Sequence, residues 1–134
     1  MIGSDILLDT WAWWELLRGS RNGAVIRRRF LRPSGVRLHT STITVGEISA
    51  KLASMGEARR IDGVIAAIRR AGRLHDVTTD LARTAGILRV ELRKSDAQAS
   101  LADGIVLATA RSLGARLISA DAAFRGQSDV VGKL

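Results

Sequence analysis

The chain has 134 residues, the size of one compact domain, and 46% of them are hydrophobic, enough to bury a core. Cysteine is absent, which excludes a disulfide framework and any thiolate metal site, and no apolar run reaches the roughly 18 residues that span a membrane. The start, MIGSDILLDT, lacks the basic segment and long apolar stretch of a secretory signal. We therefore expect an intracellular, cytoplasmic protein.

The charge balance points to an acidic partner. Lys and Arg number 21 against 13 Asp and Glu, for a formal net charge of +8. Most of these cations are arginines, whose planar guanidinium suits bidentate contact with phosphate. Such an excess favours nucleic acid through long-range attraction and counterion release, although a basic surface that serves only solubility has the same composition.

Short apolar runs alternate along the chain with segments of helical periodicity. The periodicity and the turn residues predict, in chain order, a strand at 6–8, helices at 10–18 and 23–31, a strand at 36–40, helices at 44–55 and 57–70, a weak strand at 74–77, helices at 80–94 and 100–113, a strand at 116–119 and an edge strand at 130–131. Alternation of this kind indicates an α/β fold with a mostly parallel sheet covered on both faces. No linker or repeat divides the sequence, so we expect a single domain over residues 1–134.

Four acids stand where such a sheet gathers its ligands. Asp9 and Asp121 follow apolar strands, in ILLD and LISAD, and Glu47 and Asp103 are predicted in the first turns of helices, in TVGE and SLAD. Helices that follow parallel strands begin at the carboxyl edge of the sheet, where ligands bind in α/β folds. The four carboxylates are therefore expected to converge on one crevice.

Each acid also has a purely structural explanation. Thr44-x-x-Glu47 and Ser100-x-x-Asp103 match the spacing of a capping box, and Asp9 and Asp121 suit helix N-caps. An acid near a helix N-terminus is favoured by the helix dipole as well. The four placements together favour a common site, because four caps on the same sheet edge are a less probable accident than one.

Carboxylates that lie this close need cations, because like charges raise one another's pKa. Mg²⁺ and Mn²⁺ take oxygen ligands and can activate water for hydrolysis of a phosphodiester. His39 and His75 show no paired spacing for a metal, and His75 is expected to be an ordinary loop residue. Phosphate-binding glycine loops and the Gly-x-Ser-x-Gly elbow of hydrolases are absent from the sequence.

The segments ILLDTWAWWELLRG, STITVGEISAKL and SLADGIVLATARSLGARLISAD carry a resemblance over essentially the whole chain. They resemble PIN-domain nucleases, in particular the VapC-type toxins of bacterial and archaeal toxin–antitoxin pairs. The resemblance implies a three-layer α/β/α domain that cleaves RNA with Mg²⁺ or Mn²⁺ held by Asp9, Glu47, Asp103 and Asp121, with Ser119 supporting the site. It also implies a homodimer and a cognate antitoxin that covers the cleft.

The Trp-rich first helix is unusual for that family. A helical wheel places Trp13 and Trp14 on the core-facing side and Trp11 on the opposite side, with Glu15 and Arg18. Since exposed tryptophan is typical of interface anchors, we expect Trp11 to contact an antitoxin helix or a second protomer.

Three arginine clusters, at 27–29, 59–60 and 69–70, are candidates for contact with the RNA backbone. A solvated helix face explains any one of them equally simply. We nevertheless expect at least one cluster to border the acidic cleft, because the acids alone would repel RNA.

Two other functions can be compared with the sequence pattern. A receiver-like phosphoacceptor domain would need a second acid after the first strand and a lysine after a late strand, and the lysines, Lys51, Lys94 and Lys133, do not fit. The alternative that stays open is a non-catalytic basic RNA-binding module with a degenerate PIN-like fold.

Overall fold

Parallel strands form the centre of the molecule. The computed structural model describes residues 4–134, and the strands there are β1 (Asp5–Leu8), β2 (Arg37–Ser41), β3 (Arg73–His75), β4 (Arg116–Ile118) and β5 (Val130–Val131). They form one sheet in the order β3-β2-β1-β4-β5, and each neighbouring pair is parallel. Because β1 lies in the middle, its carboxyl end is at the centre of the sheet edge.

Helices connect the strands and cover both faces of the sheet. They are α1 (Thr10–Leu17), α2 (Arg21–Ile26), α3 (Thr42–Ser54), α4 (Ile61–Ala71), α5 (Thr79–Arg93) and α6 (Leu101–Ser112). The α/β class with a parallel sheet, predicted from the alternation, is confirmed. No helix in residues 4–134 combines the length and the apolar character needed to cross a membrane.

The two-residue period of β1 separates two cores. Ile6 and Leu8 face one side, where they pack with residues of α1 to α4 around the buried Trp13. Leu7 faces the other side and packs with α5, α6 and Phe124. This alternation gives the three layers, α/β/α, and it explains why Ile6, Leu7 and Leu8 are all fully buried.

The helices α5 and α6 cross at very close range. A Cβ atom on Gly104 would overlap the carbonyl oxygen of Ala85, which is itself fully buried. Only glycine permits so close an approach of two backbones. Since Gly104 follows Asp103 in the first turn of α6, this crossing also holds the segment that carries the acid.

The boundaries of three predicted helices differ from the structure. α3 begins at Thr42 with Ser41 as its N-cap, rather than at Thr44, because the Ser41 hydroxyl accepts a hydrogen bond from the Ile43 N–H at 3.2 Å. The helix predicted from residue 57 begins with a 3₁₀ turn, Ala58–Arg60, before α4. The second helix is capped by Ser20 and continues beyond Ile26 as a π-helix, Arg27–Leu31, which periodicity did not indicate.

The two histidines lie in strands and contact each other. His39 Nδ1 is 2.8 Å from His75 Nε2, and His39 Nε2 is 2.8 Å from Asp5 Oδ1. Hydrogen bonds from Arg37 and His39 hold the pKa of Asp5 well below its usual range. The expectation that His75 is a loop histidine is wrong: it ends β3, and burial, followed by repulsion from His39 and Arg73, lowers its pKa.

The crossing of α5 and α6 gives a stability prediction. Gly104→Ala should lower the free energy of unfolding by about 1–3 kcal/mol, because the new methyl group must push the two backbones apart. Gly63→Ala in α4 is the matched control: a Cβ there meets nothing within 4 Å, so the same change should stabilise by about 0.5–1 kcal/mol. Urea denaturation measures both values, and equal shifts of the same sign would contradict the close crossing.

Candidate active site

Asp9 stands at the carboxyl end of the central strand. It follows Leu8 and caps α1, where its Oδ1 accepts a hydrogen bond from the Ala12 N–H at 2.8 Å. The side chain is buried, with 7% of the residue exposed. The structural explanation for this acid therefore holds, and the cap bond also fixes the direction of the carboxylate.

Asp121 follows the neighbouring strand β4. It caps a single 3₁₀ turn, Ala122–Phe124, and its Oδ1 accepts from the Ala123 N–H at 2.9 Å. The buried Ser119 links the two strand ends, since its hydroxyl oxygen accepts from the Asp121 N–H at 3.1 Å and its side chain hydrogen-bonds to the Asp9 carboxylate, which lowers the pKa of Asp9.

Asp103 belongs to the first turn of α6, as predicted. It forms a complete capping box with Ser100: the Asp103 Oδ2 accepts from the Ser100 N–H at 2.8 Å, and the Asp103 N–H donates to the Ser100 hydroxyl at 3.1 Å. The shorter side chain of aspartate thus spans the distance that glutamate usually spans in this motif.

Glu47 is placed differently from the prediction. Because α3 begins at Thr42, Glu47 is beyond the first turn and is not part of a capping box; the side chain of Thr44 is buried in the helix instead. The exposed Glu47 carboxylate accepts a hydrogen bond from the Thr10 hydroxyl at 2.6 Å. Its position is therefore set by α1 rather than by its own helix end.

The four acids line one small pocket. We call it the acidic pocket; it has a volume of about 90 Å³ and is lined by Asp9, Thr10, Trp11, Glu47, Asp103, Val106, Asp121 and Phe124. Segments separated by more than a hundred positions along the chain meet there at the carboxyl edge of the sheet.

Electrostatic strain inside the pocket is visible in the pKa values of two acids. Burial raises the pKa of Asp9 to about 7, and repulsion from Asp121 and Glu47 adds to the effect, against hydrogen bonds from Ser119 and the Ala12 N–H. Burial also raises the pKa of Asp103, again with repulsion from Asp121 and Glu47. The four carboxylates therefore lie close enough to disfavour each other's charge, which a bound cation would relieve.

The donor set fits a hard divalent cation. Carboxylate oxygens are the ligands that Mg²⁺ and Mn²⁺ prefer, and neither nitrogen nor sulfur ligands line the acidic pocket. Within residues 4–134, no three carboxylates or imidazoles are already gathered in a preformed metal site. The residues present suit the ion by chemistry and charge, while the cap bonds hold three of the carboxylates in their own positions.

Three pocket residues, Thr10, Val106 and Phe124, were not identified from the sequence. Thr10 orients Glu47, yet its partner is 37 positions away, so only its place directly after Asp9 at a strand end offered a signal. Phe124, which follows Asp121 in the chain, is a buried side chain that lines the pocket. An aromatic residue in a predicted loop carried no signal for a site.

The tryptophans follow the helical wheel only in part. Trp13 is buried and donates from Nε1 to the Thr40 hydroxyl at 2.9 Å, and Trp14 is half-buried with Lys51 Nζ 4.2 Å above its ring. Trp11 does not point away: it is half-buried, packs on the core and lines the acidic pocket. Glu15, predicted on the outer side, is buried as well.

The arginine clusters do not line the acidic pocket itself. The lining residues found in the described part of the chain include no Lys or Arg. Arg27 and Arg28 line a separate cavity with Gly19 and Gly23, and Arg60 lines another with Trp14.

Solved structures with the same fold include those of toxin–antitoxin proteins. A toxin–antitoxin complex from Klebsiella pneumoniae has a TM-score of 0.71 at 24% identity and covers 94% of this chain and 95% of that one. VapC20 of Mycobacterium tuberculosis, a sarcin–ricin loop cleaving toxin, has a TM-score of 0.69 at 25% identity, covering 93% and 98%. VapBC2 from Rickettsia felis, bound to a DNA fragment from its promoter, has a TM-score of 0.72 at 12% identity, covering 95% and 96%.

Sequence comparison gives the family. No curated protein sequence is significantly similar to the chain. The family model of the PIN domain, however, matches residues 6–128, which include β1 from its second residue, the strands β2 to β4 and all four acids of the pocket. The chain belongs to the PIN-domain family.

Proposed function

We propose that the protein is a metal-dependent endoribonuclease that hydrolyses RNA phosphodiesters, and that it acts in the cytoplasm as the toxin of a toxin–antitoxin pair. The observation that carries the proposal is the acidic pocket, in which Asp9, Glu47, Asp103 and Asp121 meet on a PIN-domain fold. The structural neighbours described as toxins and toxin–antitoxin complexes support the biological setting.

PIN nucleases generally use a divalent metal ion, and here Mg²⁺ or Mn²⁺ would be held by the same four acids. When bound, the ion supplies an activated water and stabilises negative charge on the phosphate. The chain's own contribution is positioning: cap bonds orient Asp9, Asp103 and Asp121, and the Thr10 hydroxyl orients Glu47. The Ser119 hydroxyl supports Asp9 and Asp121 together.

The partners follow from the same comparison. Since the neighbours include complexes of toxin and antitoxin, we propose a cognate antitoxin for this chain as well. The homodimer is proposed from the family resemblance alone. Trp11 is suited to contact an inserted antitoxin segment, because it lines the acidic pocket and is half-buried rather than enclosed. Trp11→Ala should weaken antitoxin binding, and unchanged binding would remove that role.

Loss of one carboxylate should abolish cleavage. Asp103→Asn keeps an oxygen that accepts the Ser100 N–H but removes a charge from the pocket, so we expect RNA cleavage to fall by about a hundredfold or more. Asp80→Asn is the matched control, an exposed aspartate in the first turn of α5 outside the pocket. The assay incubates purified protein with total cellular RNA and Mg²⁺, Mn²⁺ or EDTA, and sequences the new ends.

The outcomes of this assay separate the proposed function from its alternative. Cleavage that needs the metal and is lost only in Asp103→Asn supports the nuclease. Binding of RNA without cleavage under any condition, by folded protein free of antitoxin, would instead indicate the non-catalytic RNA-binding module.

The raised pKa of Asp9 predicts that removing this charge stabilises the metal-free protein and abolishes its stabilisation by metal. A raised pKa means that the native state holds its proton more tightly than the unfolded chain, so this contribution to stability is present below about pH 4 and lost as the pH rises through 7. In EDTA at pH 8, Asp9→Asn should therefore melt several degrees above wild type, and the difference should shrink at pH 5. Mn²⁺ should raise the melting temperature of wild type alone.

Thr10 tests the positioning of Glu47 without touching the charge. Thr10→Val removes the hydroxyl that donates to Glu47, and we expect kcat/KM to fall about tenfold, in keeping with about 1.5 kcal/mol for a hydrogen bond to a charged group. Thr10→Ser keeps the hydroxyl and should retain most of the activity. Equal activity of the valine and serine variants would show that this hydrogen bond has no part in catalysis.

A further inference from the structure

The acidic pocket by itself repels the substrate proposed for it. Four carboxylates line it, and none of the Lys or Arg residues in the described part of the chain does. RNA carries a negative charge at every nucleotide, so a strand that enters the pocket needs cations beside it. The three arginine clusters singled out in the sequence do not supply them there.

A second cavity adjoins the acidic pocket. It has a volume of about 280 Å³ and shares Asp121 and Phe124 with that pocket. Its walls come from the loop after β4 and from the residues after β5, and they include the cations Arg125 and Lys133. We call this cavity the basic groove. Since Asp121 and Phe124 line both cavities, the basic groove lies directly beside the acidic pocket.

The groove is held in shape by the fold. The turn that follows Asp121 is closed by backbone hydrogen bonds, Arg125 N–H to the Ala122 carbonyl at 3.1 Å and Gln127 N–H to the Phe124 carbonyl at 3.0 Å. The Gln127 side chain is in turn held by Arg111, which donates to its Oε1 at 2.7 Å. The loop therefore presents Arg125 from a backbone held by hydrogen bonds, and Lys133 lies in the segment after β5.

The charges of Arg125 and Lys133 are available to a ligand. Both residues are exposed, and neither forms an ion pair with any acid in residues 4–134, whereas Arg111 is neutralised by Asp129 at 3.0 Å. Unpaired cations beside a proposed site of phosphodiester cleavage are suited to contact phosphate oxygens.

We infer that the basic groove binds the RNA backbone next to the bond that is cut, with Arg125 and Lys133 each contacting a phosphate. The inference rests on the proposed function, since it takes the acidic pocket as the place of cleavage. RNA is favoured over an acidic protein segment because the groove adjoins the pocket proposed to cleave phosphodiesters.

The test measures binding without cleavage. In an Asp103→Asn background, the double variant Arg125→Gln/Lys133→Gln is compared with Arg27→Gln/Arg28→Gln, which removes two positive charges from the cavity beside Gly19 and Gly23. The probe is a fluorescent single-stranded RNA of mixed sequence with Mg²⁺, titrated at several salt concentrations. A third variant, Arg125→Lys/Lys133→Arg, keeps both charges and should retain binding.

The groove predicts a difference between the two double variants. Loss of Arg125 and Lys133 should raise Kd about tenfold or more and make the slope of log K against log salt shallower by about 1.4, the value for two phosphates on a single strand. The Arg27/Arg28 variant should change much less. Equal weakening in both would mean that only the overall charge matters and would overturn the inference, as would unchanged binding.

Cleavage by wild type, measured alongside binding, distinguishes a failure of the groove inference from a failure of the proposed function. If wild type cleaves RNA and the Arg125/Lys133 variant binds RNA normally, the groove has no role in RNA binding, and the proposed nuclease activity stands. If wild type never cleaves RNA but the Arg125/Lys133 variant loses RNA binding, the groove binds RNA, and the proposed nuclease activity is wrong. Loss of binding to a poly-glutamate peptide but not to RNA would assign the groove to an acidic protein partner and overturn the inference.

Discussion

Hydrogen bonds at the starts of helices hold the acidic pocket together. Asp9, Asp103 and Asp121 each accept a backbone N–H at a helix or 3₁₀ start, at 2.8, 2.8 and 2.9 Å. A carboxylate engaged in this way cannot turn freely, so the bond that stabilises the helix also fixes the direction of the acid. Capping and site formation are thus the same interaction in this fold, and neither explanation excludes the other.

Repulsion among the four carboxylates of the acidic pocket destabilises the charged forms of Asp9 and Asp103. Burial and two neighbouring acids raise the pKa of Asp9 to about 7, and the Ser119 hydroxyl offsets only part of that effect. A sheet edge that gathers four carboxylates is destabilised by their mutual repulsion. Functional sites commonly carry such local destabilisation, which the rest of the fold must support.

That support comes from the packing on both faces. Fully buried Ile6, Leu7 and Leu8 lead to Asp9 through the centre of the sheet, with one core above and one below. On the second face, the missing side chain of Gly104 lets α6 lie against α5, which holds Asp103 at the sheet edge. The acids therefore depend on apolar contacts made within one or two residues of them.

The sequence alone determined the α/β class, the alternation of strands and helices and the shared edge of the four acids, because these follow from local periodicity and from the geometry of parallel sheets. Only the tertiary structure decided the details that join distant segments. Glu47 does not form the predicted capping box, because Ser41 caps α3. The Glu47 carboxylate instead accepts a hydrogen bond from the hydroxyl of Thr10, 37 positions away. Trp11 lines the acidic pocket. The cations of the adjoining groove are Arg125 and Lys133, which lie after β4 in the chain and outside the arginine clusters. Contacts of this kind depend on how elements pack, and no local pattern records them.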